Sequence, residues 1–311
     1  MKRLIIPFIA ALAMIAGPAH AEWAPKGPIK FWIGFGAGGG TDTQARALAE
    51  ELEALKGWRI IPENKAGGGG RVMAAQLKDA PADGQTWGLA INTTFDFPSA
   101  KNINIDDFTH ITMTAGSQMA ILARADSGWK TLEDMVAAAK SGTNIVWANW
   151  GNQVQAGAEV VARHYGVKVN HLRGKGGKSA INALVAKDAN VGWGGGVQRP
   201  LVAAGELVIL ASAEPTRLVQ APDTPTLIEK GVMSTGLGFQ FLLAGPKGMD
   251  PAAVKAIADA VHMVLKNPES KTAKFVTKQY PPGPLFTSGD ELTAQLKTNL
   301  AANKELVKLV K

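Results

Sequence analysis

Twice within about fifty residues the chain runs from a short apolar segment into a glycine cluster and out into an amphipathic segment. The first junction is Ile29–Phe35, then Gly36, Gly38, Gly39 and Gly40, then Thr41 to about Lys56, where Ala45, Leu48, Ala49 and Leu52 recur at helical spacing. The second is Trp58–Pro62, then Gly67–Gly70, then Arg71–Asp79. A strand that ends in glycines and opens a helix is the repeating unit of α/β folds. It also leaves unpaired N–H groups and the positive end of a helix dipole beside backbone that a ligand can approach closely. Such a junction favours an anion, and a carboxylate fits it as well as a phosphate. The competing reading is that the glycines only make tight turns.

The same alternation continues. Strands are expected at Thr86–Ile91, Phe108–Met113, Met119–Arg124, Asn144–Trp147, Val167–Leu172, Val191–Trp193, Val208–Ser212 and Phe239–Ala244. Helices are expected at Thr131 onward, Gln155–His164, Lys178–Lys187, Leu227–Lys230, Pro251–Lys266 and Gly289 to about Lys308, the last with Leu296, Leu300, Leu306 and Leu309 against the body. At 311 residues the chain is long enough for about two domains.

The first residues have the form of a secretory signal. Lys2 and Arg3 precede the apolar run Leu4–Ala16, and Ala19-His20-Ala21 fits a small-x-small cleavage site, which puts the cut before Glu22. A membrane anchor is the competing reading, but the run is short for a span, and no later run reaches the ~18 apolar residues a span needs. Loss of Lys2 and Arg3 lowers the formal charge from +7 to +5. The expected destination is a bacterial periplasm, where nucleotide cofactors are scarce. The chain contains no cysteine. That excludes a disulfide scaffold, a thiolate metal site, a cysteine nucleophile and a lipoprotein anchor.

Gly34-Phe35-Gly36-Ala37-Gly38-Gly39 has the form G-x-G-x-x-G, with Glu63 placed 24 residues after Gly39. A dinucleotide-binding oxidoreductase built on Gly34, Gly36 and Gly39 is therefore the second reading. The secretory signal and the second glycine-rich helix start count against it. A P-loop is excluded because no Lys-Ser or Lys-Thr follows the glycines. The chain has no G-x-S-x-G or H-E-x-x-H, and its histidines (20, 110, 164, 171 and 262) lack ligand spacing. The chain is thus read as a binding protein and not an enzyme. Arg173–Lys178 is the only dense basic run, which does not make a nucleic-acid surface.

Several segments resemble the solute receptors of tripartite tricarboxylate transporters, the Bug receptor family. Phe35-x-x-Gly38-Gly39-Gly40-Thr41-Asp42-x-x-Ala45-Arg46 is similar to that family's P-F-x-P-G-G-x-T-D-x-x-A-R opening. Glu63–Gly70 is similar to its V-E-N-R-x-G-A-G-G, and Asp83–Thr86 to its D-G-Y-T. Asp106-Asp107-Phe108 stands at its D-F pair. Arg217-x-x-x-x-Pro222-x-x-Pro225-Thr226-x-x-Glu229-x-Gly231 and Pro246–Pro251 follow in the family's order. The departures are Gly34 and Gly36 in place of prolines in the first loop and, in the half that would complete the pocket, Asn170–Gly174 for V-P-Y-K-G, Asn149–Gln155 for a G-x-G-S-x-x-H loop, and Asn190 for an aspartate.

The resemblance implies a two-domain α/β periplasmic-binding-protein fold of the Venus flytrap, type II kind, with a two-stranded hinge. Residues 22–122 plus 236–311 would form the first lobe and 123–235 the closing lobe. It implies a small organic carboxylate as ligand, a membrane permease as partner, no cofactor or metal, and a monomer. Carried over by position, Gly38, Gly39, Gly40 and Thr41 would hold one carboxylate, with Asp42 either touching ligand or only capping the helix. Asn92, Thr93 and Thr94 lie at the carboxyl end of the third strand, and Asn149, Trp150, Gly151, Asn152, Gln153, Gly195 and Gly196 would complete the pocket from the second lobe. Trp147, Trp150 and Trp193, with Phe95 and Phe97, suggest an aromatic or bulky apolar ligand, although core filling is the competing role for Trp147 and Trp193.

Overall fold

The computed structural model describes residues 23–98 and 103–310. The expected secretory signal over residues 1–21 lies outside the described residues. Two five-stranded sheets organise the chain. The first contains β1 (Ile29–Ile33), β2 (Ile60–Asn64), β3 (Thr86–Ile91), β4 (Phe108–Ala115) and β10 (Phe241–Pro246), in the order β2-β1-β3-β10-β4. The second contains β5 (Ala120–Arg124), β6 (Val146–Asn149), β7 (Asn170–Arg173), β8 (Val191–Gly194) and β9 (Leu207–Ser212), in the order β7-β6-β8-β5-β9.

The helices are α1 (Gly40–Lys56), α2 (Arg71–Leu77), α3 (Thr93–Asp96), α4 (Leu132–Lys140), α5 (Asn152–Tyr165), α6 (Gly177–Val185), α7 (Arg199–Ala203), α8 (Pro251–Lys266), α9 (Lys271–Gln279) and α10 (Gly289–Lys308). None of the described helices is long and apolar enough to cross a membrane.

The two sheets are built alike. In each, three strands pair in parallel, joined by helical crossovers that cover the sheet faces. All six residues of β3 are buried, and Trp87 packs on Phe31 of β1 at 4.4 Å between ring centroids. In each sheet the antiparallel fourth strand is the one that arrives from the other sheet: β10 pairs with β3 and β4, and β5 with β8 and β9. This arrangement is the two-lobed periplasmic-binding-protein fold that the family resemblance implies.

The chain crosses between sheets over residues 116–119 and 213–240. The expected division at 122/123 thus falls inside β5, and the one at 235/236 inside the second crossing. A buried carboxylate ties the crossings together. Glu214 Oε1 accepts from Ser117 Oγ at 2.6 Å and from the Met119 amide at 2.7 Å, and the Phe239 amide donates to Ser117 Oγ at 2.8 Å. Burial holds the Glu214 carboxyl above the usual glutamate range.

The Arg217…Glu229 motif is structural. Arg217 Nε meets Glu229 at 2.9 Å, and Glu229 accepts from the Thr226 amide at 2.7 Å. These bonds shape a turn where a short helix is expected at Leu227–Lys230. At the C-terminus, Leu292, Leu296 and Leu306 of α10 are buried, whereas Leu309 is 54% exposed.

Candidate functional site

The strand–glycine–helix junctions of the two sheets face one another. The first loop meets the loop between β7 and α6, and the Gly36 amide donates to the Lys175 carbonyl at 3.3 Å. A β-carbon on Gly176 would touch Phe35 at 3.4 Å. The second loop meets the start of α5, where a β-carbon on Gly69 would lie 3.4 Å from the Gly151 Cα. Glycine on both sides of the cleft therefore lets backbone approach backbone. Gly67, Gly68, Gly69 and Gly70 all have positive φ, so that turn also needs glycine for its conformation.

Between these contacts lies a cavity of about 150 Å³. One wall is the first loop, with Gly36, Gly39, Gly40 and Thr41; the opposite wall holds Lys175, Gly176, Gly177, Lys178 and Ser179. Trp150, Phe35, Phe239, Phe241 and Tyr280 supply an aromatic lining, with Ile91 and Val197. Two helices thus begin at the cavity from opposite sides, α1 at Gly40 and α6 at Gly177, each preceded by a glycine with no capping side chain. Within the described residues, the amides of Gly40 and Thr41 donate to no protein acceptor, and the Thr41 hydroxyl, at the cavity wall, bonds to no described residue. Lys175 and Lys178 are exposed and form no ion pair with a described residue.

Of the residues singled out in the sequence, Gly39, Gly40, Thr41, Trp150 and Gly195 line this cavity. Thr93, Gly151, Asn152 and Gln153 line a small adjoining gap with Trp150. The others hold the framework. The Gly38 amide donates to Asp42 Oδ2 at 2.9 Å, so both residues are occupied with each other. Asp42 Oδ1 accepts from Asn64 Nδ2 at 2.8 Å and from Arg46 Nε at 2.9 Å, which fixes the first loop onto the end of β2. Asn92 donates to Asp96 at 2.8 Å and accepts from the Gln240 amide at 2.9 Å, and Thr94 donates to the Gly69 carbonyl at 2.8 Å. Asn149 donates to the Trp147 carbonyl at 2.7 Å and accepts from Trp193 Nε1 at 3.1 Å. Gly196 has φ +145, and a β-carbon there would lie 2.3 Å from Tyr280 Cε1.

The aromatic wall differs from the one the sequence suggests. Trp147 and Trp193 are fully buried and pack on each other at 5.2 Å, Phe95 packs on Phe108 at 4.9 Å, and the Arg71 guanidinium sits 5.9 Å from the Phe97 ring centroid; Trp147, Trp193, Phe95 and Phe97 do not line the cavity. Trp150 and Phe35 do line it, and the rest of the wall comes from Phe239 just before β10, Phe241 at its start, and Tyr280 after α9. Phe239 and Phe241 stand two apart on an extended segment, so both reach the same face. That spacing is visible in the sequence; the position of Tyr280 is not.

Beside the cavity a polar chain joins the lobes. Gln153 of α5 donates to Asn303 of α10 at 3.4 Å, and Asn303 donates to Asp96 Oδ1 at 3.1 Å. Burial pushes the Asp96 carboxyl up to about 6 against the hydrogen bonds it accepts, and burial lowers the Arg71 guanidinium beside it.

The profile of the family described as "Tripartite tricarboxylate transporter family receptor" matches residues 44–307. The "UPF0065 protein in gbd 5'region" of Cupriavidus necator is 31% identical over 281 residues, covering 87% of this chain and 86% of the relative. Among solved structures, the periplasmic binding protein BugD superposes with a TM-score of 0.83 at 25% identity, covering 92% of this chain and 98% of that one. MatC from Rhodopseudomonas palustris with bound malate superposes with a TM-score of 0.81 at 23% identity, covering 91% of this chain and all of that one (100%). The oxidoreductase reading of Gly34, Gly36 and Gly39 gives way here: that loop is one wall of an interlobe cleft, and the chain belongs to the tripartite tricarboxylate transporter receptor family, whose members are periplasmic solute receptors and not enzymes.

Proposed function

We propose that the protein captures a small organic carboxylate with an apolar or aromatic body in the interlobe cavity, and delivers it to the membrane subunits of a tripartite tricarboxylate transporter. The observation that carries this reading is the pair of uncapped helix N-termini facing one another across an aromatic-lined space. Free N–H groups at a helix start complement an anion, and the aromatic walls exclude water from it. Malate bound by MatC is consistent with the carboxylate. The walls of this cavity argue for a less polar body. A dry engineered cavity of ~150 Å³ admits benzene, so about one ring or a short chain fits.

In this reading Gly40 and Thr41 hold the carboxylate, Gly39, Gly195 and Gly196 let the walls approach, and Trp150 packs on the body. Gly38, Asp42, Asn92, Thr94 and Asn149 brace the loops, and Thr93, Gly151, Asn152 and Gln153 form the seam where the lobes meet. Lys175 and Lys178 draw anions to the mouth. Residues 22–122 plus 236–311 move against 123–235 as the cleft opens, and the bonds around Glu214 keep the crossings in register during that hinge motion. Residues 1–21 direct export and are removed, and the receptor works as a monomer.

A thermal-shift panel tests the reading. Benzoate, phenylacetate, malate, adipate, citrate, NAD and ATP are compared. A ligand present at 1,000 times its Kd stabilises by about 4 kcal/mol, enough to raise Tm clearly. Stabilisation by an apolar carboxylate is expected; stabilisation by NAD or ATP with no response to any carboxylate overturns the reading.

A further inference from the structure

Tyr280 is only 2% exposed, yet its hydroxyl donates to and accepts from no described residue. The residue lines the cavity, so its hydroxyl is a donor held at the cavity wall and left free for a guest. The ring cannot easily turn away. It packs against Phe241 at 4.9 Å and Phe275 at 5.8 Å, and its backbone amide donates to the Val276 carbonyl at 2.8 Å. The Gln118 side chain holds the next residue by donating to the Pro281 carbonyl at 3.1 Å. Two glycines make room for the ring: β-carbons would lie 1.8 Å from Oη at Gly40 and 2.3 Å from Cε1 at Gly196. The hydroxyl therefore stands against the first residue of α1, at the cavity, close to the uncapped amides and the unpartnered Thr41 hydroxyl.

We propose that Tyr280 is a specificity residue whose hydroxyl donates a hydrogen bond to the carboxylate head of the ligand, alongside the N-terminal amides of α1. The inference rests on the carboxylate-receptor reading given above. Burial raises the phenol pKa, so the group stays a neutral O–H at working pH. With the amides it makes a cradle of donors, which suits an acceptor-only head and disfavours an ammonium or a primary amide. Because the ring also touches Gly196 of the closing lobe, the cradle is complete only when the lobes meet.

The test is Tyr280→Phe, titrated by calorimetry against benzoate, phenylacetate, malate and adipate beside the unsubstituted protein. Phenylalanine fills the same space and removes only the hydroxyl. The expected result is Kd weakened roughly 10-fold or more for the carboxylate that binds, since a bond to a charged acceptor is lost, with the Tm of the unliganded protein not lowered. Equal Kd in the two proteins overturns the inference and leaves the receptor reading intact. A lowered unliganded Tm with unchanged Kd assigns Tyr280 a packing role and overturns it as well. Failure of the unsubstituted protein to bind any of the four overturns the inference and the receptor reading together.

Discussion

The hydroxyl of Tyr280 occupies the space that a side chain on Gly40 would need: an ideal β-carbon at residue 40 lies 1.8 Å from Oη and 3.1 Å from Cζ. The opening residue of α1 and a tyrosine 240 positions later in the chain are thus fitted to one another.

Gly40→Ala should therefore destabilise the protein by about 1–3 kcal/mol through overpacking. In a Tyr280→Phe background the nearest ring atom is Cζ at 3.1 Å, which a small shift relieves. The same alanine should then cost clearly less, giving a non-additive double-mutant cycle. Urea denaturation of the four proteins checks this; additive costs would contradict the fit.

Trp150 is 5% exposed and lines the cavity at the start of α5, where its ring comes close to Gly177 of α6. Trp150→Ala should weaken binding of an apolar carboxylate by about 1–2 kcal/mol, as loss of a stacked ring would. Calorimetric titration reads the effect directly, and unchanged affinity would remove Trp150 from the binding wall.

The strand–glycine–helix junctions and the order of most elements are legible in the sequence because each rests on local periodicity, whereas the two-lobed class follows from the family resemblance. The crossings are not. Nothing local says that β5 pairs with β9 or β10 with β3, since antiparallel partners lie about 90 and 150 residues away in the chain. The site is legible by halves for the same reason. Gly39, Gly40 and Thr41 advertise themselves as a helix start, whereas Phe239, Phe241 and Tyr280 look like ordinary core residues until the fold assembles them. Trp147 and Trp193 mislead in the opposite direction: they flank polar loops in the sequence, yet they fill the second lobe's core.

The Asp96 carboxyl, pushed up to about 6 from an ordinary 3.8 chiefly by burial, makes stability depend on pH. Its folded-state pKa is raised, so the protonated form favours the fold. That contribution is fully present below about pH 3.8 and is lost as pH rises through 6, amounting to about 3 kcal/mol. Asp96→Asn should flatten this component of the stability profile between pH 4 and 7, as measured by urea denaturation at each pH. An unchanged profile would show that Asp96 does not titrate in this range.

Asn303→Ala removes a donor to Asp96 and the partner of Gln153 in the other lobe. The expected cost is about 1–3 kcal/mol, because a buried carboxylate loses a hydrogen bond. The cost should be larger at pH 8 than at pH 4.5, where the carboxyl is mostly protonated. A cost independent of pH would show that Asn303 acts by packing alone.

On the reading proposed above, the cavity between Gly40 and Gly177 holds a carboxylate carrying an apolar body. Calorimetric titration of the protein with phenylacetate, and with its neutral analogue phenylacetamide, tests it most directly. Saturable one-to-one binding of the carboxylate at micromolar Kd, equivalent to about −8 kcal/mol, is expected, with binding of the amide at least 100-fold weaker. Equal affinity for the two, or no heat from either, would contradict it.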